Sequence, residues 1–402
     1  MERIRSITAR AIPDSRGNPT VEVVMRTGGK EAVVSVPSGK SAGSREAVEL
    51  RDADGRGVSL VVENINTLIA PHLIGALPEV EMVDRTMIEI DGTPNKAKLG
   101  ANATLGISLA TARLAAQLEG VPLWRSIANR THTAPSIPSL YMNMLNGGAH
   151  ANFRLPFQEY IVVVDRGGAR ESYAKAKDIF STLGTLVSAQ YGTVEMGDEG
   201  GYSPILQGFE KPFELLKEAI GGESGATIAI DAAASEFYHE GKYLIEGVPY
   251  TGEGLRELYG TLVEKFHLRS IEDPFHESDF SMFTSLVRVL GDRTLVVGDD
   301  LTVTNPRIVE AMIEQKCANA MIIKPNQIGT LTEVFETVAI ARKAGWRLIA
   351  SHRSGETNDT SIADIAVGIG AYGLKAGAPT QEERRVKYER LIEIEQEMRS
   401  LQ

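Results

Sequence analysis

The chain has 402 residues, 43% of them hydrophobic, with a mean hydropathy of −0.11, which is enough to bury a large core in two domains or one large barrel with an addition. No apolar run approaches a membrane span; the longest, such as Ile161 to Val164, have the length of strands. A net charge of −11 argues against nucleic acid as a general partner, and an anionic substrate would need local basic residues or metal to overcome it.

The first residues carry Arg and Ser like a transit peptide, but Glu2 and Asp14 interrupt them and strand-like sequence follows at once, so they read as structure. Val21 to Met25 and Glu31 to Val36 read as two strands joined by a Thr-Gly-Gly hairpin. Helical segments follow, the clearest opening at an Asn102 N-cap and carrying Leu105, Leu109, Ala112 and Ala116 before Gly120 and Pro122. Residues 1–128 are therefore expected to form a small α+β domain. The polar stretch from Asn129 to Ser139, with two prolines, marks the boundary, and residues 129–402 alternate strand and helix patterns as a parallel α/β barrel would.

Within that second region five apolar runs each stop on one polar residue: Asp231, Glu272, Asp299, Lys324 and His352, with Lys375 after a sixth. Their spacing is roughly that of a strand, a helix and two loops. In a closed parallel barrel such strand ends converge on one mouth, the face on which these barrels do their chemistry. Three carboxylates, two lysines and a histidine are expected around one pocket. The single cysteine, Cys317, excludes an intrachain disulfide; it reads as a small buried hydrophobe in a reducing, cytoplasmic setting.

Asp231, Glu272 and Asp299 form an all-oxygen set suited to Mg2+, because clustered carboxylates repel one another without a cation. Lys324, behind Met321, Ile322 and Ile323, is either a general base with its pKa lowered by burial and a nearby cation, or one half of an ion pair with Asp299 or Asp300. Glu199, between glycines in GDEGGYSP, is a candidate general acid that should hold its proton longer among other negative groups. His352, Arg353 and Ser354, with Lys375, make an anion-binding set. PSGKSAGSRE is long enough to be a lid. A metal, a lysine base and an acidic donor together suggest proton abstraction next to a carboxylate, followed by loss of a hydroxyl: a dehydratase.

The stretches DSRGNPTVEV, NGGAHANFRLPFQEY, GDEGGYSP, SIEDPF, GDDLTVTNP, IIKPNQIGTLTE and SHRSGETND, in this order and spacing, resemble the enolase (phosphopyruvate hydratase) family along essentially the whole chain. The resemblance implies a small N-terminal domain on an eight-stranded α/β barrel with irregular first connections, assembled as a homodimer or larger. It implies two Mg2+ ions, one held by Asp231, Glu272 and Asp299, the other joined by Ser41 to the substrate phosphate. Lys324 matches the base that takes the C2 proton of 2-phosphoglycerate, and Glu199 the acid that helps the C3 hydroxyl leave. Glu159 and Gln158 match the pair beside it, His150 the mobile-loop histidine, and His352 a further site histidine. Arg353, Ser354 and Lys375 match the phosphate and carboxylate contacts.

The departures lie in the lid, where the family usually reads SGASTG and this chain has Lys40 and Arg45 as added cations. If they face the ligand, a more anionic partner is accommodated, as in an enolase-like enzyme of phosphonate antibiotic pathways that makes carboxyphosphonoenolpyruvate. A non-catalytic protein of enolase descent would instead show erosion at the acid, base and metal positions, and here all are present.

Overall fold

The computed structural model describes residues 2–40, 43–222 and 224–401. Three antiparallel strands open the chain: β1 (Ser6–Pro13), β2 (Pro19–Arg26) and β3 (Glu31–Ser35). Alternate residues of β2, Val21, Val23 and Met25, are fully buried against the helix Ala101–Glu119, as a sheet with one covered face requires. That helix starts two residues earlier than an Asn102 N-cap implies and has no side-chain cap. Asn102 instead donates its Nδ2 to Leu50 O at 3.0 Å, because tertiary packing claims the amide. The helix Leu123–Thr131 runs across residue 128 and packs on the helix Ser361–Gly368.

Eight strands then close a barrel: β4 (Ser139–Asn146), β5 (Glu159–Val164), β6 (Ala226–Asp231), β7 (Ser270–Glu272), β8 (Leu295–Gly298), β9 (Ala320–Ile323), β10 (Arg347–Ser351) and β11 (Gly373–Lys375). β11 pairs with β4 to complete the ring. Only β5 runs antiparallel to its neighbours β4 and β6; the other barrel pairings are parallel. Tyr141, Ile161, Val163, Ala229, Val297, Ala320, Ile322 and Ile349 fill the interior. Strand residues alternate faces, so two residues beyond these the same row presents Asn143, Glu159, Asp231, Asp299, Lys324 and Ser351. Packing of the barrel's floor thus decides which polar residues look into its mouth.

One buried carboxylate ties the two parts together. Asp84, on the helix Val80–Asp91, accepts the Thr332 backbone N–H at 2.9 Å and its hydroxyl at 2.7 Å, in the first turn of the helix Leu331–Lys343. Burial pushes its carboxyl up to about 6, against the opposing hydrogen bonds from Thr332. A carboxyl raised on folding favours the folded state most below its unfolded value, near 3.8, and loses that contribution as pH rises through about 6. Asp84→Asn is therefore expected to leave stability unchanged near pH 4 and to raise it by roughly 1–3 kcal/mol above pH 7, read by urea denaturation at both pH values.

Candidate active site

The mouth residues sit where their strands put them. Asp231, Glu272 and Lys375 end β6, β7 and β11; Asp299, Lys324 and His352 each follow the last residue of β8, β9 and β10. Glu159 joins them from the other end of its strand, because β5 is antiparallel and its first residue pairs with Asp231 and with Asn146. Glu199 arrives on a tight turn whose next residue, Gly200, has φ +80°; a Cβ there would come within 2.2 Å of Thr380 Oγ1, which explains the glycine.

Two lysines organise the acidic side chains. Lys375 Nζ lies 3.0 Å from Asp231 Oδ2, 2.9 Å from Glu272 Oε2 and 3.2 Å from Glu159 Oε1, all buried. Lys324 Nζ is bonded to Asp299 Oδ2, whose other oxygen accepts Gln327 Nε2 at 2.9 Å. The three expected metal-ligating carboxylates are thus split, Asp231 and Glu272 on one ammonium and Asp299 on the other. Asp273, next to Glu272, was not anticipated: its two oxygens accept the backbone N–H groups of Asp299 and Asp300 at 2.9 and 2.8 Å, and the three aspartates offer ligand atoms within 4.8 Å of one another.

The proton affinities depart from two expectations. Burial would lower the Lys324 pKa, but direct contact with Asp299 wins and holds the ammonium above its ordinary range. The ion-pair reading of Lys324 is therefore the one present in this arrangement. Burial likewise pushes the Glu199 carboxyl up, yet it lies well below the usual range, because donors surround it. His352 Nε2 lies 3.4 Å from Glu199 Oε2, His150 Nδ1 3.7 Å from Oε1, and Asn143 Nδ2 donates to Oε2 at 3.1 Å. Burial holds His352 down to about 4, so its ring is neutral at pH 7. Arg384 donates to its Nδ1 at 2.5 Å, which leaves the ring proton on Nε2, facing Glu199. Glu159 is the member whose carboxyl is raised well above normal, by burial and by the Glu199 charge, with Lys375 opposing. The two carboxyls are thus pushed in opposite directions, Glu159 up and Glu199 down.

Arg353 makes a two-point ion pair with Glu46, NH1 to Oε2 at 2.9 Å and NH2 to Oε1 at 3.2 Å, and donates to Asn326 Oδ1 at 3.0 Å. Ser354 Oγ faces Arg16 NH1 at 3.4 Å. The two lid cations are engaged with protein. Lys40 Nζ donates to Asp198 Oδ2 at 2.7 Å and Ala149 O at 3.0 Å, and Arg45 NH2 to the carbonyls of Glu277, Asp300 and Leu301 at 3.2, 3.0 and 3.2 Å. Neither meets the expectation of facing a ligand in this arrangement. Their nearest acceptors belong to neighbouring loops. Ser41 lies outside the described residues. Sequence reasoning passed over Glu46, Asp273, Asn143 and Arg384; a signal existed for Asp273 in the acidic pair of SIEDPF, and none for Glu46.

The buried atoms Gln158 Oε1, Glu159 Oε2, His150 Nδ1 and His352 Nε2 have no hydrogen-bond partner, and their residues line one cleft with Asp231, Asp299, Lys324 and Arg353. Unpartnered polar atoms at this depth call for a polar ligand. The all-oxygen set of Asp231, Glu272 and Asp299, with Gln158 Oε1 and Glu159 Oε2 beside it, fits a hard divalent cation by chemistry.

The family model for the enolase N-terminal domain matches residues 4–127 and that for the enolase C-terminal TIM barrel domain residues 134–401. An enolase of Thermococcus gammatolerans is 44% identical over 413 residues, covering 99% of this chain and 96% of its own. Enolases of Methanopyrus kandleri and Methanocaldococcus jannaschii are 45% and 42% identical over 99% and 98% of this chain.

Proposed function

The chain belongs to the enolase family and is an enolase-type hydratase, and on that premise we propose that it catalyses the Mg2+-dependent, reversible dehydration of 2-phosphoglycerate to phosphoenolpyruvate. The observation that carries this reading is the division of the cleft: a lysine paired with Asp299 at the end of β9, and beside Lys375 two carboxyls, Glu159 and Glu199, whose proton affinities burial and neighbouring charges push in opposite directions.

In this reading Lys324 removes the C2 proton, and Arg353 and Ser354 hold the phosphate. Glu159, whose carboxyl burial raises, and Glu199, which accepts a hydrogen bond from Asn143, together supply the proton that leaves with the C3 hydroxyl as water. Lys375 sits where a substrate carboxylate would bring further negative charge, and its ammonium offsets it. Divalent cations held by Asp231, Glu272 and Asp299 would supply charge neutralisation for the substrate carboxylate, and their positive charge would lower the hold of Lys324 on its proton. Glu159, Glu199, Asp231, Glu272, His352 and Lys375 are all buried, which limits the access of bulk water to the proton transfers.

The test is phosphoenolpyruvate formation, followed by its ultraviolet absorbance with and without Mg2+. Turnover that depends on Mg2+ is expected; a folded, metal-loaded protein with no turnover would reject the reading. A cytoplasmic location and assembly as a homodimer or larger belong to the same proposal. No helix among the described residues is long and apolar enough to cross a membrane. The phosphonate alternative rested on Lys40 and Arg45 facing an anionic ligand, and their contacts with Asp198 and with backbone carbonyls give it no support.

A further inference from the structure

We infer that Glu46 is a positioning residue for the anion site: the N-terminal domain reaches into the barrel mouth with this one carboxylate and fixes the Arg353 guanidinium in the direction from which it meets a phosphoryl group. The inference rests on the proposed reaction for the identity of that group. It does not rest on it for the geometry.

Glu46 belongs to the first domain and Arg353 to the barrel, and both side chains are buried, at 8% and 5% exposure. Their two-point contact, at 2.9 and 3.2 Å, is the arrangement in which a guanidinium is most strongly oriented. Glu46 is itself held: its Oε1 accepts the Gly43 N–H at 3.2 Å and Gln327 Nε2 at 3.4 Å, and the next residue, Ala47, donates its N–H to Gln327 O at 2.8 Å. Gln327 Nε2 also binds Asp299 Oδ1 at 2.9 Å. A single side chain therefore spans the anion-binding arginine and, through Gln327, a carboxylate of the candidate metal set.

Two effects of Glu46 oppose each other. Its charge partly neutralises Arg353 and would weaken the pull on an anion, whereas its two hydrogen bonds keep the guanidinium from turning toward Asp299. The second wins on physical grounds. Removing one partner of a buried, hydrogen-bonded charge pair takes away the contact that sets the other's direction, and the Arg353 guanidinium would then turn toward the Asp299 charge rather than wait for ligand. Geometry within about half an ångström is what a phosphate-binding fork requires.

The experiment compares the full-length wild type with Glu46→Gln and Glu46→Ala. Binding of inorganic phosphate in the presence of Mg2+ is measured by calorimetry, beside KM and kcat for 2-phosphoglycerate and a thermal melt. Glu46→Ala is expected to weaken phosphate binding by on the order of 30-fold or more and to raise KM more than it lowers kcat. Glu46→Gln, which keeps the shape and one acceptor, recovers part of both. Tighter phosphate binding in Glu46→Gln would show that charge rather than orientation dominates and would overturn the inference, as would unchanged phosphate affinity in both variants. If Glu46→Ala fails to fold, the Gln variant decides alone. A wild type that binds phosphate but does not turn over 2-phosphoglycerate would reject the proposed reaction, and the phosphate comparison would still decide the role of Glu46.

Discussion

A Lys324→Ala protein is expected to lose exchange of the substrate's C2 proton with solvent by at least about 10³-fold while still binding divalent cation. General-base removal in a dry site costs factors of this order. The lysine is the one basic group at the end of β9, and its row on the barrel wall, Ala320 and Ile322, aims it inward. Its partner Asp299 keeps Gln327 as a second contact, so deleting the ammonium leaves the carboxylate held and ready for a cation. Proton exchange in deuterated buffer, read by nuclear magnetic resonance, and Mg2+ binding by calorimetry make the two measurements. Retained exchange would reject Lys324 as the base; loss of both exchange and cation binding would assign it a structural role.

Replacing Lys375 with methionine is expected to be the most destabilising single change in the mouth. The ammonium lies within 3.2 Å of Asp231, Glu272 and Glu159, and removing it leaves three buried carboxyl groups without a counter-charge. Breaking a buried ion pair by deleting one partner costs about 3–5 kcal/mol. The pH dependence has a definite sign. Burial and neighbouring acids raise Glu159 and Glu272 above their unfolded values, with Lys375 as the main opposing influence. Raised carboxyl groups favour folding at low pH and lose that contribution as pH rises through their folded values. Without Lys375 those values rise further, so the deficit should be small in acid and largest from neutral pH upward. Added Mg2+ should recover more melting temperature in the variant than in the wild type, because a cation bound by the folded state stabilises it by mass action. Equal deficits at acid and neutral pH would contradict the electrostatic account.

Much of the site was legible because a strand has a period of two and a parallel barrel has one chemical end. An apolar run that stops on Asp231, Glu272 or Lys324 announces both the end and, through Ala229 or Ile322 two residues before, the face. The same logic misses Glu159, whose position at the start of its run places it at the mouth only if β5 runs antiparallel, and no local pattern encodes that direction. Here the family resemblance supplied the residue. Protonation was not legible at all. Glu199 was expected to hold a proton because acids crowd near it, yet His352, held by Arg384 from the C-terminal helix Glu382–Ser400, lies 3.4 Å away and, with His150 and Arg384, keeps its carboxyl below the usual range.

The sequence by itself determined the two-part architecture, the barrel and the set of polar side chains at its mouth, since spacing and alternation are local properties of the chain. Tertiary structure alone decided who is paired with whom: Lys324 with Asp299, Lys375 with Asp231 and Glu272, Glu46 with Arg353 across the domain junction. Charge partners and pKa values follow from distances of a few ångströms between residues far apart in the chain, and those distances exist only once the barrel has closed and the small domain has docked on it.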